Sequence, residues 1–400
     1  MIRSVLLATT LALPACAQAQ GTFERGARNT DFPPAFPQQF RAPLAKSDVE
    51  LRTETLAGGL NHPWGIAVLP DGLGYLVTER SGQLRHLSSG GTLSDPIGGV
   101  PEVLARDQGG LLDVAIGPDF ATDRRIYLTY AKPTGGGLGA TAAARGALSN
   151  DLTELTEVED IFVQDPPDDT HKHFGSRILF PGNGTAFITT GEHSSPETRV
   201  YAQDLDKSYG KVIRVNLDGS TPDGNPFRGE AGAVDTIWSL GHRNIQGAAL
   251  DGNGALWTVE HGPKGGDELN RPEAGLNYGW PVISYGENYS GSAVGSGEAV
   301  RQGLEQPVYF WDPVIAPGGM AFHEGGAFGD WNGDILIGSL YPGGVVRLSL
   351  DGEGRVVEEE RILRDQGRIR DVEVLEDGTF LVLTDFDNGS VIHVRPDGSS

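Results

Sequence analysis

Two histidines flank a lysine at His171-Lys172-His173, directly before Phe174-Gly175-Ser176-Arg177 and the apolar run Ile178-Leu179-Phe180. The next apolar run ends in Thr189-Thr190-Gly191-Glu192-His193. Histidine is the side chain whose ordinary pKa suits it to take up a proton near neutrality. Strand ends are common places to display such a group. A base at one strand end and an acid at the next could therefore move protons. Polar loops also carry such residues without purpose. What decides is whether distant polar clusters fall at equivalent places in the chain.

The elements that would position these residues repeat. Trp64 to Arg80, Leu111 to Tyr130, Ser176 to Glu192, Gln246 to Glu260, Gly319 to Leu340 and Asp371 to Asp385 each read as apolar run, turn, second apolar run and polar exit. Asp-Gly and Asn-Gly pairs at several of the turns favour tight hairpins, because these residues accept positive φ cheaply. Further strands follow several copies, such as Gln83 to Leu87, Lys211 to Val215, Val345 to Leu350 and Ser390 to Val394. Repeats of four-stranded sheet without helical periodicity indicate an all-β, six-bladed β-propeller of antiparallel blades. The alternating segment Val49 to Leu56 is expected to close the ring against the last blade. Lys132 to Asp151, Gln164 to Lys172 and Tyr285 to Leu304 read as long insertions.

Polar clusters recur at matching points of these copies: Arg106-Asp107-Gln108-Gly109-Gly110, Gly241-His242-Arg243-Asn244-Ile245-Gln246-Gly247, Glu260-His261-Gly262-Pro263 and Gly367-Arg368-Ile369-Arg370-Asp371. In a propeller, equivalent positions converge on one end of the central channel. Gln108, His173, Arg243, Asn244, Arg368 and Arg370 should then face a common cavity. Several arginines with Asn and Gln suit an anionic, carboxylate-rich planar ligand, since arginine binds carboxylates bidentately. The Gly262-Pro263 turn, beside Asp267 and Glu268, could offer backbone carbonyls to Ca²⁺. Each cluster taken alone could equally be blade-end capping. His171, one step further out, is expected at the surface. Trp64, Trp238, Trp257 and Trp280 read as blade packing.

Composition bounds the class. Glycine is abundant, at 58 residues, and charged residues make up only 21 %, as expected for a turn-rich β protein. The formal net charge of −23 argues against nucleic acid or an anionic membrane surface as partner. Residues 1–19 read as an export signal: a positive start at Met1-Ile2-Arg3, a short apolar stretch, and Ala17-Gln18-Ala19 as the cleavage site. The stretch is too short to span a bilayer. The protein is thus expected in the periplasm or secreted. Leu13-Pro14-Ala15-Cys16 also resembles an imperfect lipobox, which would make Cys16 a lipid attachment point. Cys16 is the one cysteine, so no internal disulfide can form. Residues 20–47, rich in proline, read as an extended leader or linker, and residues 48–400 as a single catalytic propeller domain.

Taken together, Gln108 to Asp113, His173 to Arg177, Gln203 to Lys207, Gly241 to Gly247, Glu260 to Pro263, Asn277 to Pro281, Ile315 to Met320 and Arg368 to Val372 resemble the soluble aldose sugar dehydrogenases that use pyrroloquinoline quinone (PQQ), relatives of soluble glucose dehydrogenase. The resemblance spans most of residues 55 to 397. It implies that His173 is the general base toward the anomeric hydroxyl of an aldose sugar, oriented by Glu192, while hydride passes to PQQ. It implies that Gln108, Arg243, Asn244, Arg368 and Arg370 hold the PQQ, and that the Gly262 and Pro263 carbonyls bind the Ca²⁺. The lactone is the implied product, and a cytochrome or quinone the implied external electron acceptor. The chain departs from the family at two points. Lys172 stands where the glucose enzymes carry an acid, and Tyr341-Pro342-Gly343-Gly344 stands where the family often has a lysine. Two other functions compete: a metal-dependent, lactonase-like propeller hydrolase, with its metal held by Glu, Asn and Asp side chains, and a non-catalytic binding propeller.

Overall fold

Hairpins build the molecule, and their turns show why. Asp251 Oδ1 accepts the N–H groups of Asn253 and Ala255, both at 2.9 Å, and Gly254 follows with φ of 80°. Asp351 and Asp377 repeat the device: Asp351 Oδ1 accepts from Glu353 and Arg355, and Asp377 Oδ1 accepts from Thr379. A short side chain that satisfies the turn backbone, followed by a residue free to take positive φ, reverses the chain tightly. The computed structural model describes residues 23–398. The expected export signal at residues 1–19 and Cys16 lie outside them.

The strands form six four-stranded antiparallel sheets, the blades of a propeller. The first blade runs Pro63–Leu69, Gly74–Glu79, Gln83–Leu87 and Leu93–Pro96 from the axis outward. The second runs Leu111–Ile116, Arg125–Gly135, Leu138–Leu148 and Leu155–Val163. The third runs Gly175–Leu179, Thr185–Thr190, Lys211–Asn216 and Ile237–Leu240. The fourth runs Ile245–Leu250, Leu256–Glu260, Asp267–Asn270 and Tyr309–Trp311, and the fifth Pro317–Phe322, Ile335–Ser339, Val345–Leu350 and Val356–Ile362. The sixth takes Ile369–Val374, Phe380–Thr384 and Gly389–Pro396 from the C-terminal end and Leu51–Leu60 from the N-terminal end.

That last strand closes the ring, with Leu51 opposite Pro396 and Leu60 opposite Gly389. It begins at Leu51, two residues into the expected closing segment Val49 to Leu56, and runs on to Leu60. The cores lie between blades. Leu76, Leu84, Leu111, Leu128 and Tyr130 pack the first blade on the second, and Trp257, Leu269, Ile337 and Val346 the fourth on the fifth. Burying both faces of each sheet against its neighbours is what lets strands this short hold together.

One expected insertion is corrected. Lys132 to Asp151 is mostly strand: Arg125–Gly135 and Leu138–Leu148 form a long hairpin with Gly135 and Gly136 near its tip. The second strand is alanine-rich, so the apolar alternation that marks a strand is muted in the sequence. The proline-rich N-terminal segment is extended and docked. The Asp312 carboxylate accepts from the N–H groups of Asn29 and Thr30, and Phe40 stacks on Phe310 at 4.5 Å.

Candidate active site

In every blade the first residue of the innermost strand faces a residue near the end of the second strand. Pro63 faces Glu79, Leu111 faces Tyr130, Gly175 faces Thr190, Ile245 faces Glu260, Pro317 faces Ser339 and Ile369 faces Thr384. One step past the second strand's partner stand Arg80, Ala131, Gly191, His261, Leu340 and Asp385. One step before the inner strand stand His62, Gly110, Phe174, Asn244, Ala316 and Arg368. By register these positions surround one end of the channel.

His173 enters this ring on a strained turn. His173, Ser176, His193 and Ser194 all have positive φ without being glycine, a conformation that costs energy and must be held by its surroundings. The holding contacts are visible. The His173 N–H donates to Gln108 Oε1 at 2.9 Å, and Gly175 N–H donates to Asn244 Oδ1 at 3.1 Å. Gly191 is obligatory, because a Cβ there would lie 1.7 Å from the His173 carbonyl oxygen. The buried His173 ring points Nδ1 at Glu192 Oε1, 3.1 Å away. A carboxylate can only accept, so Nδ1 carries the hydrogen and Nε2 keeps its lone pair. Nε2 makes no hydrogen bond among the described residues and is not sealed from solvent. That is a neutral imidazole with one nitrogen oriented and the other free to accept a proton.

Burial holds the His173 imidazole below its ordinary pKa, with Arg243 pushing the same way and Glu192 opposing. Burial alone would raise the Glu192 carboxyl. His173, Arg243 and the Ser194 N–H, which donates to Oε2, outweigh it and keep the acid below its usual range. At neutral pH the pair is a neutral imidazole beside a carboxylate.

The arginines join this pair in one network. Arg243 lies 3.9 Å from Glu192, donates to the His261 carbonyl at 3.0 Å and packs over Trp280. Arg370 donates to Gln246 Oε1 at 3.1 Å, and Gln246 in turn donates to Asn244 and to the Gly175 carbonyl. Arg368 and Arg370 share the Asp385 carboxylate, at 2.6 and 3.0 Å, and Arg368 also donates to the Leu340 carbonyl. Burial pushes Asp385 up, but the two arginines pull it well below the usual carboxylate range. Gln108, His173, Glu192, Arg243, Asn244, Arg368 and Arg370 thus occupy one contiguous set of contacts.

Several polar atoms of the set are left over. Arg243 Nε and Arg370 Nε are buried without a hydrogen-bond partner. The amide nitrogens of Gln108 and Asn244 donate to nothing among the described residues, although their oxygens are used. The carbonyls of Gly262 and Pro263, both in buried residues, accept no hydrogen bond there either. Two adjacent carbonyls without a protein donor leave room for an outside donor or a cation. Asp267 does not share that role: it caps the Gly262, Ile315 and Ala316 N–H groups, and burial pushes its carboxyl up to about 7.

Beneath the site a second layer closes the channel. Arg177 reaches Asp113 and Asp371, each at 3.0 Å, and stacks over Trp64 at 4.3 Å. Gly319 makes room for it, since a Cβ would sit 1.6 Å from Asp371 Oδ1. Below lies a cavity of about 260 Å³ lined by Glu373, Ile66, Val114, Ala248 and Met320.

The structure corrects and extends the residue assignments. His171 is buried, not at the surface, because its carbonyl accepts the Gln108 N–H and folds the segment inward. Lys172 stays half exposed, 3.7 Å from Asp107. Trp64 and Trp280 lie under channel arginines in addition to packing. Asp385, His62, Asp113 and Asp371 carry no site role in the sequence reading, although Asp113 and Asp371 end two of its motifs. His62 reaches Asp385 and Asp387 through its two ring nitrogens, at 2.8 Å each. Asp385 ends the sixth hairpin, at the register of Gly191 beside Glu192, and that repeat position was the signal available. Among the described residues no three His, Cys, Asp or Glu side chains gather as a metal would need. No helix among them is long and apolar enough to cross a membrane.

Comparison with known proteins agrees with this geometry. Residues 60–393 match the glucose/sorbosone dehydrogenase family. The chain is 46 % identical over 350 residues to the aldose sugar dehydrogenase YliI of Escherichia coli, covering 86 % of this chain and 93 % of that one. The crystal structure of the soluble aldose sugar dehydrogenase from E. coli in the apo-form superposes with a TM-score of 0.83 at 45 % identity, covering 87 % of this chain and 100 % of that one. The PQQ-bound form of an aldose sugar dehydrogenase from Streptomyces coelicolor superposes with a TM-score of 0.71 at 27 % identity, covering 86 % and 99 %. The chain belongs to the glucose/sorbosone dehydrogenase family of oxidoreductases.

Proposed function

We propose that this protein oxidises the C1 hydroxyl of aldose sugars to lactones in the periplasm, with PQQ as the hydride acceptor and Ca²⁺ as its metal. The observation that carries the reading is the oriented, neutral His173 beside Glu192, set in a ring of arginines with unused donors. The residues fit the cofactor on their own chemistry. Arg243, Arg368 and Arg370 supply positive charge for carboxylates, the Gln108 and Asn244 amides supply spare donors, and two buried Arg Nε atoms await a partner. The unpaired Gly262 and Pro263 carbonyls suit a hard oxygen-loving cation. When bound, PQQ would supply the two-electron chemistry that no side chain here can perform.

The protein's share is binding, orientation and one proton. His173 Nε2 takes the proton from the sugar hydroxyl. Glu192 holds the ring by Nδ1 and stabilises the imidazolium that forms. Arg243, beside both, limits how basic His173 becomes, so the base is not protonated before substrate arrives. Asp385 fixes Arg368 and Arg370 in place, so their orientation needs no rearrangement on binding.

The test is direct. Purified apoprotein with PQQ, Ca²⁺ and glucose or arabinose should reduce an acceptor dye, and His173→Ala should not. Absence of sugar-dependent reduction in the wild type would sink the reading. Lactone hydrolysis with Ca²⁺ alone would favour the hydrolase.

A further inference from the structure

We propose that Arg80 is an additional anion-binding residue of the PQQ site, a proposal that rests on the cofactor reading above. Arg80 was not among the residues singled out from the sequence. Register places it: it holds in the first blade the position that His261, Leu340 and Asp385 hold in the fourth, fifth and sixth. Each of those three touches a site arginine, through the His261 carbonyl, the Leu340 carbonyl or the Asp385 carboxylate.

The backbone of Arg80 is held against the residues that enter the inner strands of the first and second blades. Its N–H donates to the His62 carbonyl at 3.1 Å, and a Cβ on Gly110, two residues from Gln108, would lie 1.9 Å from its carbonyl oxygen. Burial chiefly holds the Arg370 guanidinium below its ordinary pKa against Asp385, with Arg368 and then Arg80 adding to it.

What sets Arg80 apart is that its charge has no answer. Arg243 has Glu192, Lys172 has Asp107, and Arg368 and Arg370 divide Asp385. The Arg80 guanidinium makes no ion pair or hydrogen bond among the described residues. Its neighbour Glu79 is engaged by Arg85 at 3.1 Å and by the Asn61 N–H. The chain carries 54 acidic residues against 31 basic ones, so carboxylates were not scarce. An unpaired, partly exposed arginine at the mouth of an arginine-lined channel suits an anion that arrives from solution. Around Asp385 the site holds more cations than acids, and a multiply charged carboxylate ligand would restore the balance.

The experiment is a PQQ titration of the apoprotein in Ca²⁺ buffer, followed by quenching of tryptophan fluorescence and repeated at several salt concentrations. Arg80→Gln is compared with Arg80→Lys and with Arg52→Gln on the exposed outer strand of the sixth blade, which removes the same net charge elsewhere. We expect Arg80→Gln to raise the Kd by roughly ten-fold and to flatten its salt dependence, the cost of losing one charge-assisted contact. Arg80→Lys should recover part of the loss, and Arg52→Gln should match wild type. An Arg80→Gln Kd within two-fold of wild type would overturn the proposal, as would an equal loss in Arg52→Gln, since either removes the case for a specific contact. If wild type itself fails to bind PQQ, the cofactor reading falls first and this proposal with it.

Discussion

The substitution Glu192→Gln separates two things the carboxylate does. The amide oxygen of the new side chain can still accept the His173 Nδ1–H, at the expense of the Ser194 N–H bond to the other oxygen, but the negative charge is gone. In the structure that charge lies 3.1 Å from the ring nitrogen, in a buried pair. Two unit charges about 4 Å apart attract by about 4 kcal/mol at an effective dielectric near 20. With the proton roughly half transferred in the transition state, about 2 kcal/mol of stabilisation is lost, or roughly 30-fold in kcat. The pH profile supplies a second, opposite-looking signature. Burial and Arg243 already hold the imidazole below its ordinary pKa, and Glu192 opposes them. Without Glu192 the imidazole falls further. The base works only when neutral, so the acid limb of kcat must move to lower pH. The variant should be slower yet keep its activity to more acidic pH. Steady-state kinetics with PQQ-loaded enzyme across the acid range gives both readings. A kcat within about three-fold of wild type, or an acid limb that moves upward, would refute the assignment of Glu192 as the charge partner of the base.

Other expectations follow from the layers below and around the site. Arg177→Met leaves Asp113 and Asp371 buried without their counterion and should cost about 3–5 kcal/mol in urea unfolding; an unchanged midpoint would contradict the ion cluster. Burial, with Asp371 and Asp113 adding to it, pushes the Glu373 carboxyl up to about 8. The folded state therefore binds an extra proton between the ordinary glutamate pKa of about 4.3 and that value, and stability is lost as pH rises through the window. Glu373→Gln should raise Tm relative to wild type above pH 8 but not at pH 4. Chelating Ca²⁺ should weaken PQQ binding while leaving the far-ultraviolet circular dichroism unchanged, because the Gly262 and Pro263 carbonyls belong to a turn that Asp267 holds without metal. Asp312→Ala should free the N-terminal segment and speed limited proteolysis before residue 47, since that carboxylate anchors Asn29 and Thr30.

The fold was legible because its signals are local. Asp-Gly turns and apolar runs recur in each copy, and a two-residue side-chain period needs no distant partner to be seen. The site was legible where one motif holds adjacent members, as at Arg243-Asn244 or Arg368-Ile369-Arg370. Asp385, His62 and Arg80 escaped because each looks like a blade-end residue until register sets it across from the others. His171 escaped for a related reason. Its burial comes from a bond to Gln108, and no pattern along the chain reports a contact between blades. The hairpin of Lys132 to Asp151 was hidden by alanine, which packs well in a sheet but does not advertise one.

The closing strand has a consequence for the order in which the molecule is made. The ring is sealed by residues 341 positions apart, as the Arg395 to Glu54 pair shows. Across the same seam His62 meets Asp385, and the Ile66 N–H meets Asp371. Contacts of such long range close slowly, because most of the chain must already be in hand. Five blades can form while synthesis is still under way, but the clasp cannot. The cationic wall of Arg368 and Arg370 takes its final shape only when that clasp engages. A chain shortened by its last strand would thus keep most of its hairpins and lose its cofactor site, which makes binding competence a report on completion of the ring.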